Sequence, residues 1–164
     1  MSNIDSEYYS KLLGKQIGIW EEIISLALEK QQVLLEGDVI RLNEVVAREE
    51  MLIRDAGYLE QQRFEAFAKL AGSLNLPITS TLKEIVARCP KELGDTLEQS
   101  GTVLTGLLER MKGINSQNVS LIQQSLDLIQ FTMESLVVSR QPPTYNPQDK
   151  KQKTNTSFLV DAKI

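Results

Sequence analysis

Residues 93–140 read LGDTLEQSGTVLTGLLERMKGINSQNVSLIQQSLDLIQFTMESLVVSR, and this stretch decides the fold. One seam runs Leu93, Leu97, Ser100, Leu104, Leu107, Met111, Ile114, Asn118, Leu121, Ser125, Leu128 and Thr132. Its steps alternate between four and three residues, the spacing at which side chains return to one face of a packed helix. A second stripe joins only in the C-terminal half: Val119, Ile122, Leu126, Ile129, Met133 and Leu136. The two stripes together make that half apolar over a wider arc than one core contact uses. A helix with such a surplus is either buried on several sides or meets a partner.

The same rhythm extends upstream. Leu13, Ile17, Trp20, Ile24, Ala27, Gln31 and Leu34 form a four–three seam, widened by Leu12, Ile19, Ile23 and Leu26. The pattern predicts a first helix over 5–36, with Asp5 or Ser6 capping its free amides. Gly14 and Gly18 weaken it locally or let another helix come close. Gly37-Asp38 then punctuates the chain. Glycine suits the left-handed position after a helix end and aspartate the N-cap of the next helix. So short a turn folds the second helix, over 39–71, back antiparallel on the first. Its seam is Leu42, Val45, Glu49, Leu52, Ala56, Leu59, Arg63, Ala66 and Leu70. Glu49 and Arg63 interrupt the apolar register, and their stems are expected along the seam with the charged heads in water.

Pro77 breaks the helix pattern, and a short third helix is expected over 79–88, capped by Thr79, Ser80 or Thr81. Cys89-Pro90 stops it, because the residue before proline is pushed out of helical geometry. The long final helix starts near Lys91, with a bend or loosening expected around Gly101, Gly106 and Gly113. The fold class is therefore all-α: an antiparallel bundle of long helices with a short extra helix, occupying 1–140. Residues 141–164 open with Pro142-Pro143 and are then almost wholly polar until Phe158-Leu159-Val160. That composition predicts a flexible, disordered tail.

Composition limits the chemistry. With 164 residues, 41 % hydrophobic and 5 % aromatic, the chain suits one helical domain and a tail. The net charge of −4 divides into about +2 on 141–164 and −6 on the rest. An acidic body without a basic stripe argues against nucleic acid. There is no histidine, which excludes Ser-His-Asp and Cys-His catalysis and the His-containing metal sites of helical bundles. The lone Cys89 allows neither an internal disulfide nor a thiolate zinc site, and is read as a half-buried thiol. No phosphate-binding glycine loop is present. Glu21-Glu22 and Glu49-Glu50 are sequence neighbours about 100° apart on a helix, so they do not converge as an acid/base pair. The expectation is a protein without enzymatic activity or cofactor. Met1-Ser2-Asn3-Ile4-Asp5 shows no secretory n-region, and no run reaches the length of a membrane span. The expected location is a reducing cytoplasm.

Gly113-Ile114-Asn115-Ser116-Gln117-Asn118-Val119-Ser120-Leu121-Ile122 followed by Ser125-Leu126 resembles the flagellar export chaperones of the FlgN type. Leu34-Leu35-Glu36-Gly37-Asp38 with Leu42 resembles that family's first turn. Thr144-Tyr145-Asn146-Pro147 and Leu159-Val160-Asp161-Ala162-Lys163 resemble its tail, which departs from the pattern at Asp149 (glycine expected) and Ala162 (arginine expected). The resemblance implies a chaperone of hook-associated proteins that holds their C-terminal segments with its last helix. It implies delivery to the flagellar type III export gate, with Tyr145 contacting the gate's membrane protein. The client-binding residues expected from stripe and resemblance together are Asn118, Val119, Ile122, Ser125, Leu126, Ile129, Met133 and Leu136. The alternative is a structural or adaptor coiled-coil protein, in which the same stripe is a homodimer seam.

Overall fold

A computed structural model of the chain describes residues 3–139. The expectations for Tyr145, the proline-rich stretch and Phe158-Leu159-Val160 fall outside the described residues. Four helices follow in order: α1 (Asn3–Glu36), α2 (Val39–Ser73), α3 (Leu82–Val86) and α4 (Lys91–Ser139), with no strand among the described residues. By packing, the chain divides into a first unit, Met1–Asp127, and a second, Leu128–Ile164. Helix α4 continues from the first into the second.

The first unit is built on the α1–α2 hairpin. Gly37 adopts φ 71°, which costs glycine little, and Asp38 accepts a hydrogen bond from the Arg41 amide at 3.0 Å. The hairpin register is antiparallel: Gln16 bonds Glu60, and Lys30 meets Glu49. Helix α2 closes with a Schellman motif. Asn75 takes φ 55°, its amide donates to the Gly72 carbonyl, and the Leu76 amide reaches back to Ala71 at 2.9 Å. Leu74 and Leu76 are thereby turned onto the core.

That core gathers Tyr9, Leu12 and Leu13 of α1, Ala66 and Leu70 of α2, Ile85 of α3 and Leu97 of α4. Tyr9 and Phe67 form a tilted ring pair with centroids 5.7 Å apart. Helix α4 then climbs α1 in parallel. Leu97 packs near the start of α1, Ile114 packs on Ile24 and Ala27, and Gln31 donates to Gln117 at 3.0 Å. A third cluster, Leu26, Val33 and Val45 with Leu42 and Leu52, belongs to the hairpin alone.

Several expectations change. Helix α1 begins at Asn3, so Asp5 lies in its first turn rather than at the cap. A carboxylate there still faces the positive end of the helix dipole. Helix α3 is shorter than 79–88. Thr81 is its cap, in a capping box with Glu84. Glu49 does not reach water: it is buried against Lys30, which comes from a different helix and is invisible to the register of α2.

The glycines also differ from expectation. Helix α4 is uninterrupted through Gly101, Gly106 and Gly113. Close approach occurs at Gly101, where a Cβ would lie 2.7 Å from Leu82 Cδ2, and at Gly94, where one would lie 3.2 Å from the Val86 carbonyl oxygen, whereas Gly14 and Gly18 face open space. Gly14→Ala and Gly106→Ala should each raise stability by about 1 kcal/mol in urea unfolding, because alanine costs less backbone entropy in a helix. A loss of stability would show a packing role for these positions.

Candidate functional site

The long seam of α4 is buried only part of the way. Leu97 is fully buried, and Ile114 and Asn118 are nearly so. Leu121 is half-buried, and Ser125, Leu128 and Thr132, expected to continue the packed seam, are exposed. In the first unit the reason is the length of α1. It ends at Glu36, and Gln31 is already opposite Gln117. Between Ile122 and Asp127 no residue of α4 is buried.

The second stripe is therefore on the surface. In the first unit Val119, Ile122 and Leu126 are 59 %, 42 % and 54 % exposed. In the second unit Ile129, Met133 and Leu136 are exposed to a similar degree. Leu128, Phe131, Val137 and Val138, which do not belong to that stripe, are exposed as well. The second unit's helical segment is thus apolar on more than one face. Phe131, Val137 and Val138 were missed because they lie off both four–three seams, and a periodicity search discards them.

The polar residues in this part of α4 satisfy themselves. Ser125 Oγ donates to the Leu121 carbonyl at 3.0 Å, and Thr132 Oγ1 to that of Leu128 at 2.8 Å. Gln123 bonds Asp127 and Gln130 bonds Glu134, both as i,i+4 pairs. From Gly113 to Ser139 the helix carries no lysine or arginine. What it offers is apolar area with flexible methionine, and little need for polar partners.

Asn118 stands apart from the other seven expected contact residues. It is 1 % exposed, and its Nδ2 donates to the Ala27 carbonyl at 2.8 Å, while its Oδ1 has no hydrogen-bond partner. It pins α4 on α1 in one register, the usual role of a polar residue in an apolar seam, and the exposed strip starts at Val119. Ser125 and Thr132, which share its seam, bond back to their own helix instead.

A second apolar feature lies in the first unit. A groove of about 890 Å³ opens beside α3, lined by Phe64 and Phe67 of α2, Ile78, Leu82 of α3, and Leu104 and Leu108 of α4. Phe64 is 59 % exposed. Arg63 stands on the groove wall and grips Glu60, with Nη2 to Oε1 at 2.6 Å and Nε to Oε2 at 3.0 Å, and also donates to Tyr9 Oη. Hydrogen bonding from Arg63 holds the Glu60 carboxyl below its ordinary range, against the opposing effect of burial, and Gln16 adds to it. Cys89 is half-buried, and burial pushes its thiol up, away from the thiolate that nucleophilic chemistry uses. Among the described residues no three His, Cys, Asp or Glu side chains converge as a metal site, and no helix is long and apolar enough to cross a membrane.

Comparison with known proteins agrees with the arrangement. The family model described as FlgN protein matches residues 1–153. A relative from Bacillus subtilis (strain 168), described as uncharacterized protein YvyG, is 23 % identical over 145 residues, covering 87 % of this chain and 89 % of its own. No solved structure matches. An all-helical hairpin, a long final helix with an exposed apolar strip, and a family match over nearly the whole sequence lead to one assignment: this chain belongs to the FlgN family of flagellar export chaperones.

Proposed function

We propose that this protein is a cytoplasmic chaperone that binds the C-terminal segments of hook-associated flagellar proteins, prevents their premature assembly and delivers them to the flagellar export gate. The observation that carries the reading is the exposed strip of α4, Val119, Ile122, Leu126, Ile129, Met133 and Leu136, flanked by Ser125. A protein secreted through a narrow channel must be kept unfolded or partly folded. Its apolar segments then need cover, and an amphipathic client helix laid on this strip would supply it. Ordering such a segment costs part of the gross binding energy, so affinity is moderate and release is easy.

The tail supplies the second half of the task. Tyr145 is proposed to contact the gate's membrane protein. Tyr145→Ala should leave the affinity for a hook-associated client unchanged within twofold, and reduce export of that client several-fold in a flagellated cell. Titration calorimetry and a secretion assay measure the two arms. Equal loss in both would contradict the division of labour.

A second reading follows from the all-round apolar character of 128–138: the same strip could be a homodimer seam. Static light scattering separates the two. A monomer that forms a one-to-one complex with client supports the chaperone reading, and a stable dimer that hides 119–136 supports the structural coiled coil.

A further inference from the structure

The exposed strip of α4 has a continuation. Traced towards the N-terminus, Leu126, Ile122 and Val119 lead by steps of three and four through Asn115 and Lys112 to Leu108, Leu104 and Gly101. The last three line the groove beside α3. One face of α4 therefore runs from the groove to the strip, within the first unit.

Helix α2 presents a matching face. Val39, Val46 and Ile53 recur every seven residues, and Phe64 follows three turns later on the same side. Phe64 and Leu108 both line the groove. Val39 and Ile53 are 66 % and 51 % exposed, and Val46 is half-buried. Val39, Val46 and Phe64 lie about a quarter turn or more around α2 from the buried Val45 and Ala56, and Ile53 borders that buried face beside Glu49. Valine and isoleucine gain nothing from helix propensity at such surface positions.

The helical wheels fix which side these faces take. On α1, the residues meeting α2 (Leu26, Lys30, Val33) and those meeting α4 (Ile24, Ala27, Gln31) are about a third of a turn apart. With α4 parallel to α1 and α2 antiparallel, the Val39–Phe64 face and the Leu108–Leu126 face open on the same side. At the far end of that side α3 is already seated. Its Leu82 and Val86 line the groove and pack on the core, and Leu82 fits over Gly101.

We propose that this channel between α2 and α4 is a seat for one amphipathic helix of the client, docked end-on to α3 as the next helix of the bundle. The proposal rests on the chaperone reading above, and adds α2 as half of the binding surface. From Leu108 to Leu126 the seat spans about 27 Å, room for about 18 residues of helix. Its continuity with the seat of α3 identifies the occupant's chemistry: a helix with an apolar face like Leu82, Ile85 and Val86, its polar side to water.

The test uses the full chain and recombinant C-terminal segments of hook-associated proteins as probes, with affinity read by calorimetry and folding by circular dichroism. Phe64→Asp and, independently, Ile53→Asp should weaken binding at least tenfold. Tyr58→Asp, exposed on the opposite side of α2, should leave it within twofold. Because all three side chains are exposed, each variant should fold, and Ile53→Asp decides the matter if Phe64→Asp does not.

Loss with Leu126→Asp but not with Ile53→Asp or Phe64→Asp would overturn the seat and spare the chaperone reading. Loss with Ile53→Asp and Phe64→Asp but not with Leu126→Asp would instead sink the α4 strip. A loss with Tyr58→Asp equal to the others would show that the effect is not specific to this face, and would also overturn the seat. Tighter client binding by Phe64→Asp would mean that this chain's own residues 140–164 fill the groove. A dimer dissolved by Phe64→Asp would mean a second copy fills it. Either result would overturn the assignment to the client.

Discussion

Leu126→Asp, and separately Ile129→Asp, will leave the protein folded and abolish client binding. Both side chains are more than half exposed in the absence of a partner. The folded state therefore loses little when they change, about 0.5 kcal/mol from the lower helix propensity of aspartate and the absence of buried contacts. The complex loses much more. Burying a leucine or isoleucine on a client is worth about 1.5–3 kcal/mol, and an aspartate in its place must be desolvated without a partner. A central apolar anchor in an interface commonly carries 2–4 kcal/mol, which is a loss of roughly 30-fold to 1,000-fold in affinity. Titration of a hook-associated C-terminal segment, with thermal unfolding of the same samples, checks both parts. Unchanged affinity in either variant would contradict the assignment of this strip to clients.

Glu49→Ala is the substitution expected to damage the fold most. The Glu49 carboxylate and the Lys30 ammonium meet at 2.5 Å with side chains 9 % and 11 % exposed, Lys30 falling between Leu26 and Val33 and Glu49 between Val45 and Leu52 of the hairpin's own apolar cluster. Removing the carboxylate leaves a mostly buried cation without its partner, a change that costs about 3–5 kcal/mol in comparable pairs. A small domain holds only about 5–15 kcal/mol in all, so urea unfolding should show a large shift in midpoint. Replacing both members, Lys30→Met with Glu49→Leu, removes the charge and the need for it together. The double variant should regain most of the loss or exceed the parent. A Glu49→Ala cost below about 1 kcal/mol would mean that the Lys30 head escapes to water along its flexible stem.

The helices were legible because their signals are local. Gly37-Asp38 specifies a left-handed residue and a cap within two positions, and both occur as read. Pro90 and the four–three seams placed the start of α4 where it is observed, at Lys91. The apolar stripe beyond Val119 was also legible as a pattern. What a periodic pattern cannot carry is whether anything covers it. Ser125, Leu128 and Thr132 continue the seam in sequence without interruption, yet they are exposed. In the first unit the seam loses its cover because α1 stops at Glu36, a property of a different part of the chain.

The same kind of limit explains the other differences. Glu49 looks like a surface interruption within α2, and only the arrival of Lys30 from α1 makes it an interior ion pair. Asn118, Ser125 and Thr132 are equivalent by spacing. Asn118 alone has the Ala27 carbonyl opposite it, and so becomes a buried register pin while the others bond to their own helix. The contribution of α2 to the groove beside α3 was hidden because Val39, Val46, Ile53 and Phe64 fall outside the seam that packs on α1. Residues that serve a partner do not follow the periodicity of the core.

Amide hydrogen exchange along α4 tests the central claim most directly. Alone, the amides of 119–138 should exchange far faster than those of 97–114, because no side chain of that segment is buried and exposed helix opens at little cost. With a hook-associated C-terminal segment bound, exchange across 119–138 should slow at least tenfold. Protection that leaves 119–138 unchanged while the client is demonstrably bound would show that the client is held elsewhere.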